Sequence, residues 1–137
     1  MRPKLLPTLA SASLWLLLTA CAASVAYTPA SFTPITTTGQ RAPVTLDRQI
    51  EVLLDTGYMR TLKADSQWTR MGVIGQGDVY KRQDAIFTLE GAHVHEAWLV
   101  VDADRLIGFY LPVERGFSPL KQAIPLSFSS TRHNKEQ

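Results

Sequence analysis

The fold is decided by the stretch VHEAWLVVDADRLIGFYL, which spans residues 94–111. It contains two apolar runs, 94–101 and 106–111, rich in the β-branched and aromatic residues that favour strands. The runs are joined by Asp102-Ala103-Asp104, a polar link short enough to reverse the chain. The pattern therefore predicts an antiparallel β-hairpin.

Both strands of this hairpin are apolar on both faces. Successive side chains of a strand point to opposite sides of a sheet. Trp98 and Val100 therefore share one face, and the other face carries Ala97, Leu99 and Val101. Because strands of this kind belong to the middle of a covered sheet, we expect the hairpin to form the core of the domain.

Upstream of the hairpin, segment 50–54 allows two interpretations. Ile50, Val52 and Leu54 alternate with acidic residues, as in a strand that is buried on one face. Leu46, with other apolar residues of the segment, also fits one face of a helix. Frequent turn signals on both sides of the segment favour the strand.

Downstream, segment 117–128 contains one more short strand, and the polar tail 129–137 is expected to be disordered. No long helical pattern interrupts the short strands and turns. The sequence therefore predicts an all-β domain over residues 44–128, a small antiparallel barrel or sandwich of short strands.

The hexapeptide Asp78-Val79-Tyr80-Lys81-Arg82-Gln83, residues 78–83, has two possible origins. One reading frame of a common transposon-based sequencing adaptor encodes the same six residues, and the chain would then be a join of two fragments. Val79 and Tyr80 also suit the end of a natural strand. The sequence leaves both origins open, and we assign no function to this hexapeptide.

The start of the chain has the layout of a signal peptide. Arg2 and Lys4 precede an uncharged apolar stretch, and small residues follow it. The tetrapeptide Leu18-Thr19-Ala20-Cys21 resembles the lipobox of bacterial lipoproteins. This resemblance implies that residues 1–20 are removed and that Cys21 is acylated on its sulfur. Two alternatives stay open: an uncleaved membrane anchor, and a conventional signal-peptidase site that releases a secreted protein.

The segment that follows Cys21 predicts a tether and a location. Residues 21–43 are mostly Ala, Ser, Thr and Pro, a composition typical of flexible linkers. Ala22 stands where an Asp tends to retain enterobacterial lipoproteins at the inner membrane. The resemblance therefore implies a lipid-anchored protein of the cell envelope, at the outer membrane and facing the periplasm.

Charge and cysteine content exclude several classes of function. With Arg2 and Lys4 removed from the 14 basic residues, 12 remain against 12 acidic residues. This balance offers no basic field for nucleic acid. Cys21 is the one cysteine, so we expect no disulfide, thiolate nucleophile or cysteine-ligated metal in the mature domain. We expect no cofactor.

The segment Val52-Leu53-Leu54-Asp55-Thr56-Gly57 resembles the catalytic turn of retroviral-type aspartic proteases. The resemblance implies a dimer in which two copies of Asp55 share a proton and activate a water. Tyr58 stands where that family has a small residue. The competing interpretation is an ordinary turn in which Asp55 accepts backbone hydrogen bonds and Gly57 adopts a positive φ.

Two further groups of residues are candidate sites. His93 and His95 share one face of a strand and supply two zinc ligands, too few for a site, so we expect no bound metal. The aromatic set Trp98, Phe109, Tyr110 and Phe117 is interpreted mainly as core. Phe117 follows Gly116 in an apparent loop, so it is the aromatic residue expected to be exposed and to contact a partner.

Together these patterns predict a membrane-anchored module that acts by binding or structural association. The expected partners are the membrane, through Cys21, and another envelope protein. The alternative function is a hydrolase built around Asp55.

Overall fold

The computed structural model describes residues 2–4, 21–37 and 42–130 of the chain. Strands and turns make up this part of the chain, which contains no helix. The all-β prediction is therefore confirmed, and the helical alternative for 50–54 is wrong. The strands are β1 Thr28–Pro29, β2 Thr33–Pro34, β3 Val44–Leu46, β4 Ile50–Leu53, β5 Met59–Leu62, β6 Gln67–Ile74, β7 Gly77–Arg82, β8 Thr88–Glu90, β9 Val94–Glu96, β10 Trp98–Asp102, β11 Arg105–Leu111, β12 Gly116–Pro125 and β13 Phe128–Ser130.

The main sheet is antiparallel and has the order β1-β12-β11-β10-β7-β6-β3-β13, with β2 also paired to β6. Within the described residues this path is open, with β1 and β13 at its two ends. Of the two predicted architectures, the structure therefore corresponds to the sandwich and not to a closed barrel.

The predicted hairpin is present at the centre of this sheet as β10 and β11, and Asp102 faces Arg105 at its end. Ala103 and Asp104 have φ values of 46° and 58°, as a two-residue turn requires to match the twist of its strands. The predicted first strand was too long, because residues 94–96 form the separate strand β9. The ladder changes at Ala97, whose N–H donates to the Phe87 carbonyl.

Two smaller hairpins, β4–β5 and β8–β9, form the second layer of the sandwich. Apolar side chains from both layers meet in cluster 1. Its members are Val25, Leu46, Ile50, Val52, Leu54, Leu62, Trp68, Phe87, Leu89, Ala97, Leu99, Val101, Leu106, Phe109, Leu111 and Leu126. The Trp68 Nε1 group donates to the buried Ser66 hydroxyl at 2.9 Å, so the one polar edge of this core indole is satisfied.

The opposite face of the main sheet carries a smaller apolar cluster, cluster 2. It consists of Ile74, Val79, Val100, Tyr110 and Phe117, with Ala30, Phe32, Trp98 and Ile107 packed against them. The alternation predicted for β10 is confirmed, since its two sets of side chains enter different clusters.

Cluster 2 is covered by the N-terminal segment, residues 21–37. Strand β1 of this segment pairs with β12, and β2 pairs with β6 on the far side of the central strands. The prediction that 21–43 is a flexible tether is therefore wrong for the described residues that form these strands. The physical reason is that Phe32 supplies the apolar cover that this face of the sheet needs.

The predicted domain boundaries also change. The fold includes residues upstream of 44, and β13 extends it past 128 to Ser130, where the tail was expected to have begun. Most of the leader and residues 131–137 lie outside the described residues. The signal peptide and the end of the tail therefore stay predictions. The hexapeptide 78–83 contributes most of β7, a central strand in which Val79 is fully buried.

Candidate functional site at the start of the folded domain

Cys21 is exposed and forms no disulfide. The chain joins the fold almost immediately after it. The Ala23 carbonyl accepts a hydrogen bond of 2.9 Å from the Ala92 N–H, and Val25 is buried in cluster 1. Two residues of extended chain span at most about 7 Å, so Cys21 is held close to the folded domain.

The segment enters the domain beside two turns, which we call the Cys21-side turns. The first, residues 54–58, joins β4 to β5, and the second, residues 91–93, joins β8 to β9. In the first turn the Leu54 N–H donates to the Tyr58 carbonyl at 2.9 Å, and Gly57 has the predicted positive φ, 87°. That conformation strains residues with a Cβ, which accounts for glycine at this position.

Side-chain bonds hold the Cys21-side turns together. The Thr56 hydroxyl donates to the Glu90 carbonyl at 2.8 Å. Two residues past the first turn, the Arg60 guanidinium contacts the Glu90 carboxylate at 3.3 Å and lies over the Phe87 ring. The hairpins of the second layer are therefore bonded to each other close to the point where the chain arrives from Cys21, and the turns cannot separate without breaking these bonds.

Gly91 makes room for the arriving chain. A Cβ at this position would lie 2.7 Å from the Ala23 carbonyl oxygen and 3.1 Å from the Thr56 methyl carbon. Since real Cβ contacts are longer than the first of these distances, a larger residue would push the N-terminal segment away. The sequence marks Gly91 only as a turn residue and gives no sign of this close approach.

A small apolar cavity lies beneath the same region, between Val25, Leu54, Leu89 and Phe109. Its volume is about 20 Å³, which is room for roughly one water molecule. This cavity is therefore too small for an organic ligand. An open groove of about 380 Å³ lies beside the first Cys21-side turn, lined by Leu53, Asp55 and Lys121 among others.

Asp55 lies in the first Cys21-side turn with its carboxylate exposed. The predicted hydrogen bonds from backbone N–H groups to the Asp55 carboxylate are not found among the described residues. The carboxylate instead lies 3.6 Å from the Lys121 ammonium group of β12. Ion pairs this exposed contribute little to stability, so the main effect of Lys121 is to neutralise the charge of Asp55.

The two histidines of the possible zinc pair are separated by the structure. His93 is exposed in the second Cys21-side turn, whereas His95 lies in β9 and its Nδ1 contacts the Glu114 carboxylate. Glu96 is occupied elsewhere, since it accepts a 2.9 Å hydrogen bond from the Trp98 indole. Within residues 2–4, 21–37 and 42–130, no group of three or more metal-ligating side chains is found.

The aromatic set is core, as its main interpretation predicted. Phe109 belongs to cluster 1, and Tyr110 and Phe117 are buried in cluster 2. The prediction that Phe117 is exposed is wrong, because only 8% of its surface is accessible. It lies within β12 opposite Tyr110 and Thr28, so it is not available as a partner contact.

Phe32 completes the aromatic packing of cluster 2. Its ring stacks on Tyr110 with centroids 5.3 Å apart and meets Trp98 edge-on at 5.8 Å. Burial raises the pKa of the Tyr110 hydroxyl, an effect partly opposed by the nearby Arg115. The N-terminal segment therefore alters the environment of the sheet that it covers.

Two of the contacts described above were missed in the sequence. His95 and Glu114 are separated by 19 positions, and Thr56 reaches Glu90 across 34. No periodicity or motif links such residues, because tertiary packing brings them together.

Comparison of the chain with family models, with curated proteins and with solved structures finds no match in any of the three. Over the described part of the chain, no helix has the length and apolar character needed to cross a membrane.

Proposed function

We propose that this protein is a membrane-anchored lipoprotein of the cell envelope, in which the β-sandwich acts as a binding or structural module. The observation that carries the proposal is the position of Cys21. It is exposed, is the last residue of the lipobox-like tetrapeptide, and stands two residues before the first described backbone bond to the folded domain.

The anchor has a simple physical requirement. One acyl chain binds a membrane only marginally, and stable anchoring takes more than one. The acylated cysteine of the lipoprotein family carries several chains and meets this requirement. With Ala22 after the cysteine, we propose the outer membrane, with the domain facing the periplasm.

The proposed role in binding rests on the nature of the surface. Exposed apolar side chains surround the Cys21-side turns. Basic and acidic residues balance in the mature chain, which disfavours nucleic acid. We therefore propose the membrane and an envelope protein as partners, with no cofactor.

The geometry gives less support to hydrolysis. A retroviral-type dyad needs two Asp55 carboxylates close enough to share one proton. The Asp55 carboxylate instead lies 3.6 Å from the Lys121 ammonium group. Tyr58, a bulky residue, stands three positions after Asp55 in the same turn. Cleavage of unfolded protein substrates by the wild type, absent in Asp55→Asn, would promote the hydrolase to first place.

The test is fractionation of cells that express the full chain or Cys21→Ser. We expect the variant to leave the membrane fraction or to accumulate as the unprocessed precursor. The matched control is the double variant Cys21→Ser, Ser24→Cys. It keeps one thiol in the same exposed segment, but this thiol no longer follows Leu18-Thr19-Ala20 directly. Its thiol should remain free of lipid by mass spectrometry. Wild-type membrane retention of Cys21→Ser, in processed form, would refute the proposal.

A further inference from the structure

Four large apolar side chains are exposed in and beside the Cys21-side turns, and we call them the apolar rim: Leu53, Tyr58, Met59 and Val94. Leu53 and Met59 are 63% and 56% exposed and face each other across β4 and β5. Directly opposed residues of an antiparallel pair point to the same side, so these two form one apolar surface.

Val94 extends the rim onto the second hairpin. It is 67% exposed and follows the 91–93 turn directly. The Thr56–Glu90 hydrogen bond fixes this turn beside the 54–58 turn, so the rim is held on a rigid support. A bound surface would not have to order flexible loops, which removes one of the main costs of association.

The position of the rim relative to Cys21 decides what covers it. Ala23 is bonded to Ala92 in the second turn, and Cys21 lies at most about 7 Å of extended chain before it. Lipid chains on Cys21 would therefore enter the membrane next to the rim, and so short a connection would keep the Cys21-side turns close to the bilayer surface.

Two ion pairs lie beside the rim, Asp55 with Lys121 and Arg60 with Glu90. Glu51, on the same side of β4 as Leu53, accepts hydrogen bonds from the neutral side chains of Gln49 and Thr61. Since these residues carry no surplus of positive charge, binding to the rim is apolar in character and needs no anionic lipid. Tyr58 suits such a location, since its ring is apolar and its hydroxyl remains hydrated at an interface.

We propose that the apolar rim docks on the lipid bilayer to which Cys21 is anchored, and so fixes the orientation of the domain on the membrane. This inference rests on the proposed lipid anchor. Docking by the rim leaves the parts of the sandwich that lie far from the Cys21-side turns directed away from the bilayer.

The experiment uses the mature, acylated full-length protein reconstituted in phosphatidylcholine vesicles. Since Cys21 is the one cysteine, acylation leaves the substituted position as the one free thiol in Met59→Cys or Val94→Cys. The matched control is Ile86→Cys. Ile86 is also apolar and 73% exposed, but it lies before β8, at the other end of that hairpin from the 91–93 turn. Each thiol receives an environment-sensitive fluorophore.

We expect the labels at positions 59 and 94 to show shorter-wavelength emission and quenching by nitroxide-bearing lipids, while the label at 86 stays in water. High salt should not change the result, because the proposed docking is apolar. Equal exposure of all three labels to water, with Cys21 acylated, would overturn the docking surface and leave the lipid anchor intact. Labelling of Cys21 itself would show that it carries no lipid, and both proposals would then fail.

Discussion

The two faces of the main sheet are covered in different ways. Cluster 1 lies between the sheet and two hairpins, each closed by its own backbone ladder. Cluster 2 is covered by the N-terminal segment, which pairs with the sheet through two strands of two residues each. The first face is held by continuous sandwich packing, and the second depends on a segment that begins at Cys21.

This difference connects the proposed anchor to the stability of the domain. Short ladders and few apolar contacts characterise the parts of a protein that open most readily. The N-terminal segment has these properties, yet Phe32 and Val25 of this segment enter the two clusters. We therefore expect substitutions in cluster 1 to unfold the domain. Substitutions beneath the N-terminal segment should weaken the packing of the face that carries cluster 2.

The largest effect should come from Leu99→Ala or Phe109→Ala, because both side chains are essentially fully buried in cluster 1. Truncation of such residues costs about 2–5 kcal/mol, a large part of the stability of a small domain. Urea unfolding followed by circular dichroism measures the change. Ile86→Ala, at an exposed position, is the control and should stay within about 0.5 kcal/mol of wild type. Unchanged midpoints for Leu99→Ala and Phe109→Ala would show that cluster 1 is not the core.

The sequence predicted the central strands under both clusters but not the segment that covers cluster 2, for a physical reason. The alternation of β10 and β11 is local, and β-branched and aromatic side chains reveal it directly. Leu99 and Val100 could therefore be assigned to opposite faces. The strands Thr28–Pro29 and Thr33–Pro34 have the composition of a linker and exist only because β12 and β6 offer partners distant in the chain.

Phe117 illustrates the same limit at the candidate site. Gly116 and Pro119 next to it are turn signals, and they predicted an exposed loop. In the structure Pro119 lies within β12 opposite Gly108 of β11. On its other edge, β12 pairs with β1 only at Gly116 and Phe117, so this edge has no partner strand at Pro119. A proline is tolerated there because its missing N–H removes no ladder bond on the edge without a partner. Cys21 could be named from a local motif, whereas its closeness to Ala92 required the fold.

The second effect, on cluster 2, should follow Gly72→Ala. A Cβ at position 72 would lie 2.2 Å from the Thr33 carbonyl oxygen and 2.7 Å from the Phe32 ring. The N-terminal segment must shift, and overpacking of this kind costs about 1–3 kcal/mol. Hydrogen exchange should show faster exchange in the segment and little change in β4–β5.

Gly75→Ala is the matched control for this variant. Nothing lies within 4 Å of a Cβ placed at Gly75, the residue that follows the last residue of the same strand. Its stability should therefore equal or slightly exceed that of wild type. Equal effects of the two substitutions would show that the segment does not pack closely on β6.

A smaller effect separates the two faces by alkaline titration. Burial raises the pKa of Tyr80, which packs against cluster 1, and of Tyr110 in cluster 2. A raised folded-state pKa gives stability that is complete below the ordinary value of about 10 and is lost as pH rises through the folded value. Phe32→Ala should lower the pKa of Tyr110 and leave that of Tyr80 unchanged. Tyrosinate absorbance follows all four tyrosines, and Tyr80→Phe and Tyr110→Phe assign the two titrations of interest. A joint shift of both would mean that the faces are not independent.

The smallest effect concerns Asp47, at the edge where β13 joins the sheet next to cluster 1. Hydrogen bonds from Ser127, and secondarily from Ser129, lower the pKa of this exposed carboxyl. A lowered folded-state pKa gives stability that is present above the unfolded value of about 3.9 and is lost as pH falls through the folded value. Asp47→Asn should therefore melt slightly below wild type at neutral pH and approach it in acid. Ser127→Ala should have a similar effect, and the double variant should add little, because both changes remove the same bond. A melting difference that persists unchanged below the folded-state pKa would show that the charge of Asp47 does not hold this edge, and the β13 end would then depend on its pairing with β3 alone.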